Sequence, residues 1–550
     1  MKRFQLFFCI IVLSLSSCVN NNSNNNSGGH AQIVRPKLVV GIVIDQMRWD
    51  YLYRYYDRYS NDGFKRLMND GFNCDNTFIN YLPAYTGPGH TCVYTGSVPS
   101  IHGIAANDWI DNATGESVYC VDDPSVQLVG DASGKGSYSP RNLLVTTVTD
   151  ELKLATNLRS RVYGVALKDR GSVLPAGHLA NAAYWYDDKT GNFTTSTYYP
   201  NKFPEWLRKF DMRLVADSLM KQNWKLLYPA STYTQSTADA NAYEGNFPGE
   251  KTSAFPHKFD SLTQSERYGI LRGTPAGNTY TLMMAKACID GEKLGRGSDA
   301  DFLCVSLSST DYIGHQFGPN SIEAEDTYLR LDKDLASFLH YLDEKVGQGN
   351  YLLFLTADHG AAHNASFLSD LDVPAGSTAA DMLESLNKSL AASFHQDTLV
   401  KAFINYQLYL NEDLITAKNL DREKVKTAIR NWFYKRPEVQ YVVDLESINS
   451  TALPEPIHTM VINGYYRPRS GQIQIIFNPG WYETKAYGTT HGTWQPYDTH
   501  IPLLWYGWHI PKGTVHRTIH MTDIAPTVAA LLHIQMPNGC IGSVITEVAK

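Results

Sequence analysis

Two short segments, "TDYIGHQFGP" and "FLTADHG", each place an aspartate and a histidine directly after an apolar run: Asp311 with His315, and Asp358 with His359. Carboxylate oxygens and imidazole nitrogens are the ligands that suit a zinc-like ion in a site that keeps a position open for a reactant. Two further positions fit the set, Asp45 after "KLVVGIVI" and His491 in "TTHGTW". Three aspartates and three histidines suffice for two ions with three protein ligands each. Ligation needs neutral imidazoles, so activity at such a site should fall at acidic pH as His315, His359 and His491 protonate. His90, His102, His178 and His363 lie near these segments and read as supporting or core histidines, His363 being the nearest rival because it follows "DHG" closely.

A nucleophile is available. The segment "YLPAYTGPGHTCVYTG" reads as a strand-to-helix turn, with Thr86 as N-cap, Pro88 in the first turn and Gly96 closing the helix. A hydroxyl at a helix N-terminus faces unpaired N–H groups, where phosphate and other anions settle. Alone, Thr86 is a cap. Beside two metal-ligand pairs it becomes a candidate nucleophile, since a metal-bound hydroxyl is activated without a neighbouring base.

These side chains need elements that bring them together. Apolar, β-branched runs at 38–44, 162–167, 302–307, 351–355 and 501–505 predict buried parallel strands, with helical patterns at 324–346 and 524–532. Such alternation predicts an α/β sandwich, whose ligands bind beyond the carboxyl ends of the strands. Asp45, Lys168 with Arg170, Asp311, and Asp358 with His359 each fall just past one of these runs, so four strands deliver polar groups to one edge. Two regions break the pattern: about 186–274, rich in Tyr, Asn, Pro and Gly, reads as an inserted cap, and about 366–482 as a second lobe.

The 550 residues are long enough for one large domain, expected at 37–550 with those insertions. A net charge of −7 argues against nucleic acid as a partner. Lys2 and Arg3 precede an apolar stretch and then Cys18, which predicts a signal peptide over 1–17. The tetrapeptide "LSSC" resembles a bacterial lipobox, with Cys18 as the lipidated residue and 18–36 as a polar tether. The expected location is the periplasm or cell envelope, with the lipid anchor as the sole membrane contact and the protein a monomer. Six further cysteines could form disulfides in that compartment, in a pairing the sequence leaves open.

Taken in order, Asp45, Thr86, Asp311, His315, Asp358, His359 and His491 resemble the alkaline phosphatase superfamily, in its phosphodiesterase/nucleotide pyrophosphatase branch, which also uses a threonine. The nearest resemblance is to the phosphate-irrepressible alkaline phosphatases of Gram-negative envelopes. It covers nearly the whole mature chain and implies an α/β/α sandwich with a mostly parallel sheet and two Zn2+ ions. Asp311, His315 and His491 would bind one ion. Asp45, Asp358 and His359 would bind the other, with Thr86 as its nucleophilic ligand. Asn107 in "GIAANDWID" and Lys168 with Arg170 in "ALKDRGS" match residues that contact the phosphoryl group. A monoester dianion carries more charge on its free oxygens than a diester, so these cations favour small-molecule phosphate monoesters, cleaved through a phosphothreonine. A phosphodiesterase on the same scaffold would treat Lys168 and Arg170 as incidental. A sulfatase would need Cys or Ser at Thr86. A non-catalytic glycan-binding lipoprotein would suit the tether and the 34 tyrosines, but has no use for six metal-type ligands.

Overall fold

Among the described residues (34–549, apart from 131–135, 379 and 484–486) the computed structural model has a central sheet of nine strands. They are β1 (Leu38–Ile44), β2 (Phe72–Cys74), β3 (Val162–Ala166), β4 (Ala182–Asp187), β5 (Asn192–Thr194), β6 (Asp301–Leu307), β7 (Tyr351–Thr356), β8 (Leu503–Gly507) and β9 (Gly513–Val515). Their spatial order is β5-β4-β3-β6-β1-β7-β8-β2-β9. Every residue of β1, β6 and β7 is buried, as expected of strands paired on both edges and covered on both faces. The core pairing is parallel: Leu38 stands opposite both Asp301 and Tyr351, and β3 and β4 continue the parallel run beyond β6. The carboxyl ends of β1, β3, β6 and β7 therefore share one edge.

Four helices matter for the site: α1 (Thr86–Thr95), α2 (Asp169–Ala176), α3 (Ser309–Phe317) and α4 (Ile322–Leu342). α1 and α2 pack together with Ile524–Leu532, while α4 packs with Pro275–Glu292 and α3, so two helical layers enclose the sheet as an α/β/α sandwich. The segment between β7 and β8 carries a four-stranded antiparallel sheet (Val400–Ile404, Gln407–Leu410, Ile473–Phe477, Val439–Asp444) with its own apolar cluster around Leu408, Ile429 and Phe433. The segment after β5 holds short helices, Glu205–Asp211, Val215–Met220 and Gln264–Leu271.

Three expectations need correction. The run at 501–505 is not one parallel strand. Pro502 divides it, and Leu503–Gly507 pairs antiparallel with β7, because the chain returns from the second sheet at the site edge. The helix expected at 324–346 is regular over Ile322–Leu342 and widens into a π-turn at Asp343–Gly347. Cys74, Cys92, Cys120, Cys288, Cys304 and Cys540 are free thiols, not disulfides. All but Cys540 are buried, where they fill core space as small apolar side chains. Among the described residues no helix is long and apolar enough to cross a membrane. The signal peptide at 1–17, Cys18 and most of the 18–36 tether lie outside the described residues.

Candidate active site

Asp45 directly follows β1, and its N–H donates to Leu307 O at the end of β6 (3.1 Å). Asp358 and His359 come two and three residues after β7, and Asp311 and His315 sit one turn apart on α3. His491 lies in the loop that leads into β8. These six side chains converge. His359 Nε2 is 3.6 Å from Asp45 Oδ1 and 3.5 Å from Asp358 Oδ2. On the other side Asp311 Oδ1 is 3.2 Å from His315 Nε2 and 3.6 Å from His491 Nε2. The rings of His359 and His491 stack with centroids 3.5 Å apart, joining the two halves. His359 is in reach of both: its ligand atom groups with Asp45 and Asp358, and also with Asp311 and His491.

The three imidazoles are oriented alike. Nδ1 of His315 bonds Thr489 O (2.8 Å), that of His359 bonds Gly360 O (3.0 Å), and that of His491 bonds Ala84 O (2.8 Å). A proton on Nδ1 held by a carbonyl leaves Nε2 as the lone-pair face, and each Nε2 points into the cluster. Burial, and then the neighbouring His359 ring, hold His491 well below the usual histidine range, and burial also lowers His359. His315 behaves differently: burial would lower it, but Asp311 raises it above the ordinary value.

Metal binding fits this cluster. Asp45 Oδ1, Asp358 Oδ2 and His359 Nε2 are buried without a hydrogen-bond partner, and such groups are costly unless something pairs them. Burial, together with the charge of Asp358, pushes the Asp45 carboxyl well above its usual range, so its ionised form calls for cations. Lys168 meets part of that demand: its ammonium lies 2.7 Å from Asp45 Oδ2 and 2.5 Å from Asp311 Oδ2. The remaining oxygen and nitrogen donors are of the kind zinc-like ions take.

Thr86 is brought to the same place, with one correction. It is the first residue of α1 rather than the N-cap, which is the extended Tyr85. Its hydroxyl is thereby freed from capping and lies 3.5 Å from Lys168 Nζ. Gly89 explains how closely α1 approaches: a Cβ there would sit 2.5 Å from Asp358 O. The next residue, His90, supports the site and is not part of the ligand set, bonding Thr86 O (2.9 Å) and Ser306 Oγ (2.8 Å), with Asp358 Oδ2 at 3.3 Å. Asn107 accepts the Gly87 N–H at Oδ1 (2.7 Å), which leaves its NH2 group as the available donor beside Thr86. Arg170 is tied to Tyr119 (Nη1 to Oη, 3.0 Å), and Tyr119 in turn hydrogen-bonds Asp169. The Arg170 Nε–H is buried and unpartnered.

Two supporting residues are absent from the sequence reading. Gln46 occupies the left-handed region (φ +63°), its N–H bonding Asp358 Oδ1 (3.1 Å) and its Nε2 bonding Asp311 Oδ1 (2.7 Å). It spans both halves of the cluster, and Gly314 makes room for it, since a Cβ there would fall 1.8 Å from Gln46 Oε1. Tyr119 is the other. The only advance signal for Gln46 is its place directly after Asp45; Tyr119 has none. His363 stands apart, bonded to Asn320 Oδ1 (2.6 Å) and pushed down to about 3 by burial and Arg48. His102 is a buried core residue, and His178 pairs with Asp150 (3.2 Å).

The family model for type I phosphodiesterase / nucleotide pyrophosphatase matches residues 39–501. A protein of Myroides odoratus named calcium-transporting ATPase is 52% identical over 521 residues, 94% of this chain and 95% of that protein. Alkaline phosphatase PhoV of Synechococcus elongatus is 51% identical over 521 residues, 94% of each chain. The crystal structure of alkaline phosphatase PafA superposes with a TM-score of 0.91 at 49% identity, covering 94% of this chain and 100% of that one. The chain belongs to the type I phosphodiesterase / nucleotide pyrophosphatase family.

Proposed function

We propose that this protein is a metal-dependent alkaline phosphatase that hydrolyses small-molecule phosphate monoesters through a phosphothreonine on Thr86. One observation carries the reading: a buried lysine ammonium, Lys168, stands 3.5 Å from the hydroxyl that opens α1, inside a cluster of six metal-type ligands. The half-identical relatives named alkaline phosphatase support it.

Asp311, His315 and His491 would hold one Zn2+ ion, and Asp45, Asp358, His359 and Thr86 the other. When bound, such ions supply Lewis-acid charge at the attacking and departing oxygens. The chain's own groups do the rest. Thr86 Oγ1 attacks phosphorus, the ester P–O bond breaks, and the alcohol leaves with a proton. Water then attacks the phosphothreonine, releasing phosphate and restoring the threonine hydroxyl. Burial opposes the charge on Lys168, but Asp311 and Asp45 raise its pKa, so it stays a cation that stabilises the Thr86 oxyanion. Lys168, Arg170 and the Asn107 amide stabilise the non-bridging oxygens from fixed positions. A phosphodiesterase on this scaffold would need Lys168 only to hold the Asp45 and Asp311 carboxylates.

The chain is read as one catalytic domain over 37–550, with 186–274 and 366–482 inserted. A leader at 1–17 and lipidation of Cys18 would tether it as a monomer in the periplasm or envelope.

Steady-state kinetics on a paired aryl phosphate monoester and diester test the activity. The wild type should favour the monoester, and Thr86→Ala should lose about 10³-fold or more in kcat/KM. Faster turnover of the diester would overturn the monoesterase reading.

A further inference from the structure

The Lys168 ammonium has Asp45 Oδ2 at 2.7 Å, Asp311 Oδ2 at 2.5 Å and Thr86 Oγ1 at 3.5 Å. The two carboxylates draw it away from the hydroxyl, and a lysine stem is flexible enough to follow them. Its aim at Thr86 therefore depends on what packs against it. That neighbour is Tyr312, whose ring centroid lies 5.1 Å from Lys168 Nζ. A cation at this distance over an aromatic face is held by the ring quadrupole, more strongly where water is excluded, as it is around the buried Lys168 side chain. Tyr312 follows Asp311 on α3, so one helical turn supplies both a carboxylate and the ring.

A second cation reaches the same ring. Arg272 Cζ lies 5.6 Å from the Tyr312 centroid, and its Nη1 donates to the Tyr312 hydroxyl (3.4 Å). Arg272 Nη2 is paired with Asp188 Oδ2 (2.7 Å), and the guanidinium lies 5.9 Å from the Tyr186 ring. Asp188 directly follows β4, and Arg272 directly follows the helix Gln264–Leu271. They stand near the two ends of the 186–274 segment, so their ion pair closes its base against the ring that faces Lys168.

Resting on the monoesterase reading above, we infer that Tyr312 is a positioning residue for Lys168, and that Arg272 with Asp188 is the bracket by which the 186–274 segment sets it. The ring keeps the ammonium within reach of Thr86 as well as of the two carboxylates. The Arg272 bond to the hydroxyl fixes the ring, and Asp188 fixes Arg272. A charge that stabilises a transition state works from a set position, and a small displacement forfeits much of its effect. The segment therefore acts on monoester preference through Tyr312, although none of the six ligands, Thr86, Asn107, Lys168 or Arg170 comes from it.

The test is the ratio of kcat/KM for an aryl phosphate monoester to that for a diester with the same leaving group, which cancels losses common to both substrates. Tyr312→Leu should lower this ratio by about tenfold, the effect of losing a desolvated cation–π contact. Tyr312→Phe keeps the ring and should recover all but about threefold of the loss. Arg272→Gln, at a partly exposed position, should lower the ratio by about threefold, in the range for a surface ion pair. In a Lys168→Ala background none of these substitutions should move the ratio further, because ring and bracket act through Lys168. A ratio unmoved by Tyr312→Leu, or a fall that persists without Lys168, would overturn the role and leave the monoesterase reading standing. If Tyr312→Leu does not fold, Arg272→Gln decides by the same two criteria. A wild type that prefers the diester would remove both readings.

Discussion

Lys168 is the side chain on which the chemistry turns, because it touches a carboxylate from each half of the cluster and the threonine hydroxyl as well. Its role makes a selective prediction. Lys168→Ala should lower kcat/KM for a monoester by about 100-fold, in the range for loss of one preorganised charge-stabilising donor, and for a diester much less. Equal losses on the paired substrates would show that Lys168 only holds the carboxylates in place. At this scale the six side chains that converge were legible in advance as candidates, since each aspartate and histidine follows an apolar run or sits in a short distinctive string. Gln46 and Tyr119 were not. A glutamine after an aspartate and a tyrosine in a surface-like hairpin carry no pattern of their own, and their roles exist only once distant segments meet.

The elements convert those residues into a site through the parallel run β3-β6-β1-β7, whose carboxyl ends share one edge. Buried strands announce themselves as continuous apolar runs, which is why four of them could be located to within a residue or two. Strand direction is another matter. Nothing local in 501–505 distinguishes a parallel from an antiparallel strand, and the answer depends on where the 366–482 segment returns the chain. The same limit applies to α1, where one residue of register separates Thr86 as cap from Thr86 as a free hydroxyl. Gln46 is the device that locks α3 to the loop after β7, bonding Asp311 on one and Asp358 on the other. Gln46→Ala should therefore weaken metal retention by about 10–100-fold, the usual cost of losing a residue that orients ligands. Zinc remaining after dialysis against graded chelator measures it, and wild-type retention would contradict the role.

For the molecule as a whole, stability and activity draw on different charges. His257, from the segment after β5, is clamped between Glu250 (3.2 Å) and Glu323 of α4 (3.3 Å), both buried or nearly so. Burial opposes its charge, but those carboxylates raise its pKa to about 9. With an unfolded value near 6.5, this clamp stabilises the fold fully below about pH 6.5 and is lost as pH rises through about 9, a change of about 3 kcal/mol. The Glu244 carboxyl, pushed up to about 7 by burial and by Glu323, adds to the same decline from about pH 4.5. The urea midpoint should fall more between pH 6.5 and 9 in the wild type than in a His257→Gln, Glu323→Gln double variant; parallel declines would refute the clamp. The most direct test of the account is anomalous diffraction at the zinc edge from crystals of the zinc-loaded protein. It should show two peaks, one enclosed by Asp45, Asp358, His359 and Thr86, the other by Asp311, His315 and His491. A single peak, or peaks elsewhere on a protein that hydrolyses monoesters, would contradict it.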